Sequence, residues 1–240
     1  MAAAFSVAGL SKTYETIDKK ISALSNVTFE IKSHEFVSII GRNASGKSTL
    51  LKIVAGILPQ TSGSISISQK IAYMPQDHAL LPWMTIEENL LLPFRLRGIV
   101  RCESREKAHR LLDEFGFLHY ASLYPDVLSG GTRQKIALLR TVLQEHPLLL
   151  LDEPFAPLDA LSRLAAQDWL GKLLEKRQST VILITHDIRE AIFFSDRIIV
   201  FRNGSVGETI EVPLPRPRIH DQLSSSVALE LERKLFSLLV

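Results

Sequence analysis

The chain has 240 residues, 46% of them hydrophobic, enough for one sizeable core or a core carrying an inserted lobe. Its 28 basic and 26 acidic residues are mixed along the chain and leave a formal net charge of +2, so the basic block of a nucleic-acid binder is missing. The one cysteine, Cys102, excludes an internal disulfide and fits a reducing compartment.

The opening MAAAFSVAGLSKTY has no basic start ahead of its apolar residues and reads as a mature start rather than a secretory signal. No apolar run approaches the roughly 20 residues that span a bilayer, so work at a membrane needs the spanning segments of another chain. FSVAGL and NVTFEI alternate as strands do, and EFVSII is a fuller apolar run that suits a buried parallel strand. A helix is predicted from Ser48 to Ala55, with Leu50, Leu51 and Val54 inward and Gly56 placed to end it. SGSISIS and KIAYMP predict two more short strands.

From Thr85 to about Leu143 apolar residues recur at three- and four-residue intervals, and Thr85 with Glu88 makes a capping box. Strand character returns at PLLLLDEP, STVILITHD and DRIIVFRNG, with a helix between the first two. The order predicts an α/β fold whose parallel sheet carries an inserted helical subdomain at about 85–143. The last run, SSVALELERKLFSLLV, reads as an amphipathic helix packed on its own domain.

Two segments carry chemistry. Gly41-Arg42-Asn43-Ala44-Ser45-Gly46-Lys47-Ser48 satisfies G-x-x-x-x-G-K-[ST] between a predicted strand and a predicted helix, the context that motif requires. Glycines at 41 and 46 let backbone amides turn inward around an anion, and the following helix aims its positive dipole end at the same point. Lys47 adds a mobile cation for the outer phosphates, and the Ser48 hydroxyl is a magnesium ligand. The second segment, LLLLDEP, buries a strand whose carboxyl end delivers Asp152 and Glu153. Asp152 is expected to hold magnesium, and Glu153 to orient and polarise the attacking water.

Further motifs narrow the class. LSGGTRQKIALLRTVL, from Leu128, resembles the signature sequence of ABC-type ATPases. Gln76 in YMPQD matches that family's Q-loop, Asp159 in APLDALSR its D-loop, and His186 in ILITHD its switch histidine. Tyr14 in SKTY falls where an aromatic stacks on adenine. The resemblance covers nearly the whole chain. It implies an ABC ATP-binding domain over 4–220 with a helical tail at 221–240. Its fold is a P-loop NTPase core of RecA type, with a mostly parallel sheet, a small antiparallel β-subdomain towards the N-terminus and the helical insertion.

The resemblance also implies roles. ATP with Mg²⁺ lies against Tyr14, residues 41–48 and Thr49, with Ser48, Gln76 and Asp152 near the metal and Glu153 and His186 as the catalytic pair. Two copies pair head to tail, so that Ser129, Gly130 and Gly131 of one face the γ-phosphate held by the other. Some positions depart from the common pattern: Arg42 to Ser45 within the phosphate loop, Thr132 after the signature glycines, Pro157 before the D-loop, and a short segment from Thr61 to Tyr73. None removes a catalytic group.

Past Gln76, DHALLPWMTIEENLLLP resembles the nitrate, sulfonate and taurine importer ATPases, as does VPLPRPR near the end. This implies a peripheral subunit on the cytoplasmic face of the cell membrane, bound to polytopic permease subunits and, through them, to a solute-binding protein. It implies no nucleic-acid partner. Leu80, Leu81, Pro82 and Trp83 are candidates for the permease contact, against the plainer reading that apolar residues beside a helix start fill the domain's own core. Importers of vitamins or their precursors are the related alternative for cargo. A soluble ABC ATPase of DNA repair, translation or cofactor assembly is the second reading; the chain lacks a cysteine cluster and is too short for two linked ATPase domains.

Overall fold

In the computed structural model the described residues are 3–15 and 19–239, so Val240, the end of the expected tail, lies outside them, as do Met1 and Ala2 at the expected start. A six-stranded sheet runs in the order β5-β6-β7-β3-β8-β9: β5 (Ile71–Met74), β6 (Leu148–Asp152), β7 (Thr180–Ile184), β3 (Phe36–Gly41), β8 (Arg197–Arg202) and β9 (Ser205–Glu211). The first five are parallel, and only β9 runs antiparallel, against β8. β3, β6 and β7 are buried at every position, as expected of strands covered on both faces. Each fully buried Leu or Ile side chain in them contributes about 1.5–3 kcal/mol of transfer free energy.

A second, antiparallel sheet pairs β1 (Ala3–Glu15) with β2 (Lys20–Lys32) on one side and β4 (Ser62–Ile67) on the other. The two strands expected from SGSISIS and KIAYMP therefore join different sheets. Gly63 permits the β4 pairing: at φ +89°, a Cβ there would sit 2.5 Å from the Gly9 carbonyl oxygen.

α1 (Lys47–Val54) follows β3 and ends as expected, with Gly56 at φ +73° just past its last turn. Between β5 and β6 the chain is helical: α2 (Ile86–Leu96), α3 (Cys102–Glu114) and α4 (Gly130–Leu143). The capping box at α2 is formed, with Glu88 N–H donating to Thr85 Oγ1 and Thr85 N–H to Glu88 Oε2. Fully buried Asn89 accepts from Leu81 N–H at 2.7 Å and donates to the carbonyls of Leu81 and Met84, fixing the turn ahead of α2. Leu80 on that turn enters the core, whereas Trp83 stands 69% exposed.

α5 (Ala160–Arg177) and α6 (Ile188–Phe194) flank β7, and α7 (Ser226–Leu239) closes the chain. Ala228, Leu231 and Leu235 of α7 pack with Ile192 of α6 and Val200 of β8, so the amphipathic tail lies on its own domain. Among the described residues no helix is long and apolar enough to cross a membrane.

Candidate functional site

The ends of three neighbouring strands build the site. β3 delivers the phosphate loop, β6 delivers Asp152 and Glu153, and β7 delivers His186 just beyond its end. Tyr14, residues 41–49, Gln76, Glu153 and His186 line one cavity of about 1030 Å³, so the expected nucleotide residues converge on one space.

The loop's shape comes from its backbone. Gly46 sits at φ +100° as the N-cap of α1, and a Cβ there would meet the Ala23 carbonyl oxygen at 2.3 Å. A Cβ on Gly41 would come within 2.3 Å of the Phe201 carbonyl oxygen. Ala44 is also left-handed, at φ +61°. Lys47 is buried, and its Nζ donates to the carbonyls of Gly41 and Arg42, both at 2.9 Å. Desolvation pulls the Lys47 ammonium below its ordinary range, against the opposing pull of Glu153 and Asp152.

Asp152 is buried, and Ser48 Oγ donates to its Oδ1 at 3.1 Å. Its Oδ2 has no hydrogen-bond partner, and burial pushes the carboxyl up to about 6. Asp152 itself does not line the cavity, but it holds Ser48, which lines it together with Gln76; an orphaned buried carboxylate oxygen beside that hydroxyl fits an all-oxygen site for a hard cation that keeps several waters. These residues fit magnesium.

Glu153 is left-handed at φ +48°, its N–H donating to the Ile184 carbonyl at 2.9 Å across the strand ends. That conformation is uncommon for a side-chain-bearing residue, and it falls where β6 ends at Asp152. His186 Nδ1 stands 3.2 Å from Glu153 Oε2. Tyr14 lines the same cavity, with Lys12 Nζ over its ring at 5.3 Å.

The signature residues and Asp159 do not line this cavity. Ser129 caps α4 by accepting from Thr132 N–H, and Gly130 opens the helix with nothing within 4 Å of where its Cβ would be. Asp159 caps α5 by accepting from Ser162 N–H at 3.0 Å, which holds its carboxyl below the usual range. α4 reaches back to the Q-loop: Arg140 donates to the carbonyls of His78 and Ala79, two and three residues past Gln76. That link carries no motif-level signal in the sequence.

Residues 24–156 match the family model described as ABC transporter, and the chain belongs to that family. The chain is an ATP-binding, ATP-hydrolysing cassette. It is 39% identical over 226 residues to the formylaminopyrimidine import ATP-binding protein of Halalkalibacterium halodurans, covering 93% of this chain and 89% of that one. It is 41% identical over 197 residues to an aliphatic sulfonates import ATP-binding protein of Paracoccus denitrificans, covering 81% and 79%. Among solved structures, a dimeric ATP-binding cassette in a post-hydrolysis state with ADP and Pi superposes with a TM-score of 0.81 at 32% identity, covering 88% of this chain and all of that one.

Proposed function

We propose that this chain is the motor subunit of an importer for a small organic solute, working as a head-to-tail homodimer under a polytopic permease. One observation carries the reading. The residues expected to hold phosphate and attacking water share one cavity with Ser48 and Gln76, Asp152 stands behind it on Ser48 Oγ, and the signature turn lies outside it with open space at Gly130. A half-site with open space before it among the described residues fits a phosphate supplied by a partner.

In this reading the amides of residues 41–48 and Lys47 hold the β- and γ-phosphates, and Tyr14 stacks on adenine. Ser48, Asp152 and Gln76 hold magnesium, which when bound neutralises charge on the phosphate oxygens. Glu153 accepts a hydrogen bond from the attacking water and draws off proton density. His186, touching Glu153, fixes that carboxylate and faces the γ-phosphate. Ser129, Gly130 and Gly131 of the second copy present the amide-rich start of α4 to the same phosphate. Loss of the γ-phosphate then lets the copies part.

The exposed Trp83, presented on the turn held by Asn89, supports a permease contact on this lobe, with Leu80 serving the core instead. The relatives' names support a cargo of aliphatic sulfonate or formylaminopyrimidine type and a peripheral position at the cytoplasmic face of the membrane.

Size-exclusion chromatography of Glu153→Gln with ATP tests the sandwich. The variant should bind ATP, stop hydrolysing it and elute as a dimer, while Lys47→Ala should stay monomeric because it loses nucleotide affinity roughly a hundredfold, the worth of one charge-assisted phosphate contact. A Glu153→Gln profile that stays monomeric at saturating ATP would sink the proposal.

A further inference from the structure

Two turns start the helices on either side of β7. One carries Asp159 and starts α5; the other carries His186 and starts α6. Each is capped separately: Asp159 through Ser162 N–H, and Asp187 through the N–H groups of Arg189 and Glu190, at 2.9 and 3.1 Å. Thr185 Oγ1 accepts from Asp187 N–H at 3.0 Å and fixes the strand end behind it.

One side chain reaches both turns. Arg163, one helical turn into α5, donates from Nη2 to the Leu158 carbonyl at 3.1 Å and places Nη1 3.6 Å from Asp187 Oδ2. The pair is a third exposed on each side, so it adds little to stability, and its interest lies in what it joins. Beneath it lies a small cavity lined by Glu153, Arg163, Thr185, His186, Asp187 and Glu190. Glu190 is buried there with Oε1 unpartnered, facing Asp187 of its own helix cap, Arg163 of α5, Glu153 beyond β6 and the Thr185 hydroxyl. Burial, and then Asp187, push the Glu190 carboxyl up to about 8, so it is a neutral acid in neutral solution.

We infer that Arg163 is a positioning residue that ties the Asp159 turn to the His186 turn, with the buried Glu190 side chain as the floor of the tie. The inference rests on the reading of Glu153 and His186 as the hydrolytic pair. Asp159 lies on the exposed side of the tie, where a second copy arrives, and His186 lies on the cavity side. The arrival of a partner is thereby registered at the histidine that braces Glu153. A neutral Glu190 leaves the Arg163 charge to Asp187. An ionised Glu190 competes for that charge and loosens the tie.

The test uses the full chain with steady-state ATPase kinetics and dimerisation side by side. Arg163→Ala and Arg163→Lys, the latter keeping the charge without the two-pronged reach, should each lower kcat about tenfold with KM for ATP within about twofold. Their melting temperatures should match wild type, and Glu153→Gln/Arg163→Ala should still form the ATP-bound dimer. Wild-type kcat in both Arg163 variants, or loss of the dimer in the double variant, overturns the inference. Wild-type kcat should also fall between pH 7 and pH 9 as Glu190 ionises, and Glu190→Gln should flatten that limb; identical profiles remove Glu190 from the tie. If Glu153→Gln hydrolyses ATP normally, the underlying reading and this inference fail together. If it is inactive while both Arg163 variants behave as wild type, the inference alone fails.

Discussion

The phosphate loop and the signature turn are both glycine-containing starts of helices, yet the chain treats them in opposite ways. Around Gly46 the loop is crowded, with a backbone oxygen where a Cβ would go, and Lys47 is satisfied by carbonyls of its own loop. Around Gly130 there is open space, and no neighbour among the described residues requires a glycine there. The first glycine is needed for the chain to fold as it does. For the second, the proposed function supplies the reason: a phosphate held by a second copy.

That contrast can be broken at single positions. Gly46→Ala should have the largest effect: a methyl group forced against the Ala23 carbonyl at a left-handed φ costs at least about 2 kcal/mol and displaces the loop. Both the melting temperature and nucleotide binding should drop, read by thermal unfolding and by titration with a fluorescent ATP analogue. Retained binding would mean that the loop has slack the geometry does not suggest.

Gly130→Val comes next and should split the two readouts. With nothing near its Cβ, stability should change by less than about 0.5 kcal/mol. Turnover should fall about a hundredfold, the scale of losing one backbone donor to a reacting oxyanion. A normal turnover would leave the open space at Gly130 without a use. Ser129→Ala is the mildest: losing the cap on Thr132 N–H costs about 1 kcal/mol, roughly 2–4 °C in melting temperature. A far larger shift would show that this turn is as self-supporting as the phosphate loop.

Much of the site was legible because its signals are local. The phosphate loop, the LLLLDEP strand and the Thr85–Glu88 box each state their structure within a few residues. What escaped depends on distant partners. That β4 leaves the parallel sheet to pair with β1 follows from the fit of Gly63 against Gly9, and neither run announces it. Composition ranks Leu80 and Trp83 alike as apolar residues of one turn, and only Asn89, buried eight residues beyond Leu81, decides which faces inward. Arg163 and Asp187 are 24 residues apart, and only the fold brings them to 3.6 Å. Glu190 belongs to no motif, and packing has buried it.

The sheet order has one further consequence. The groups proposed to surround the γ-phosphate rise from β6, β7 and β3, adjacent strands of one hydrogen-bonded sheet that are buried throughout. Their mutual spacing is therefore stiff, and nucleotide turnover cannot be signalled by stretching it. The stroke must come from what is hung on that frame by loops and single side chains, which makes the frame an anvil and the helices the moving tool.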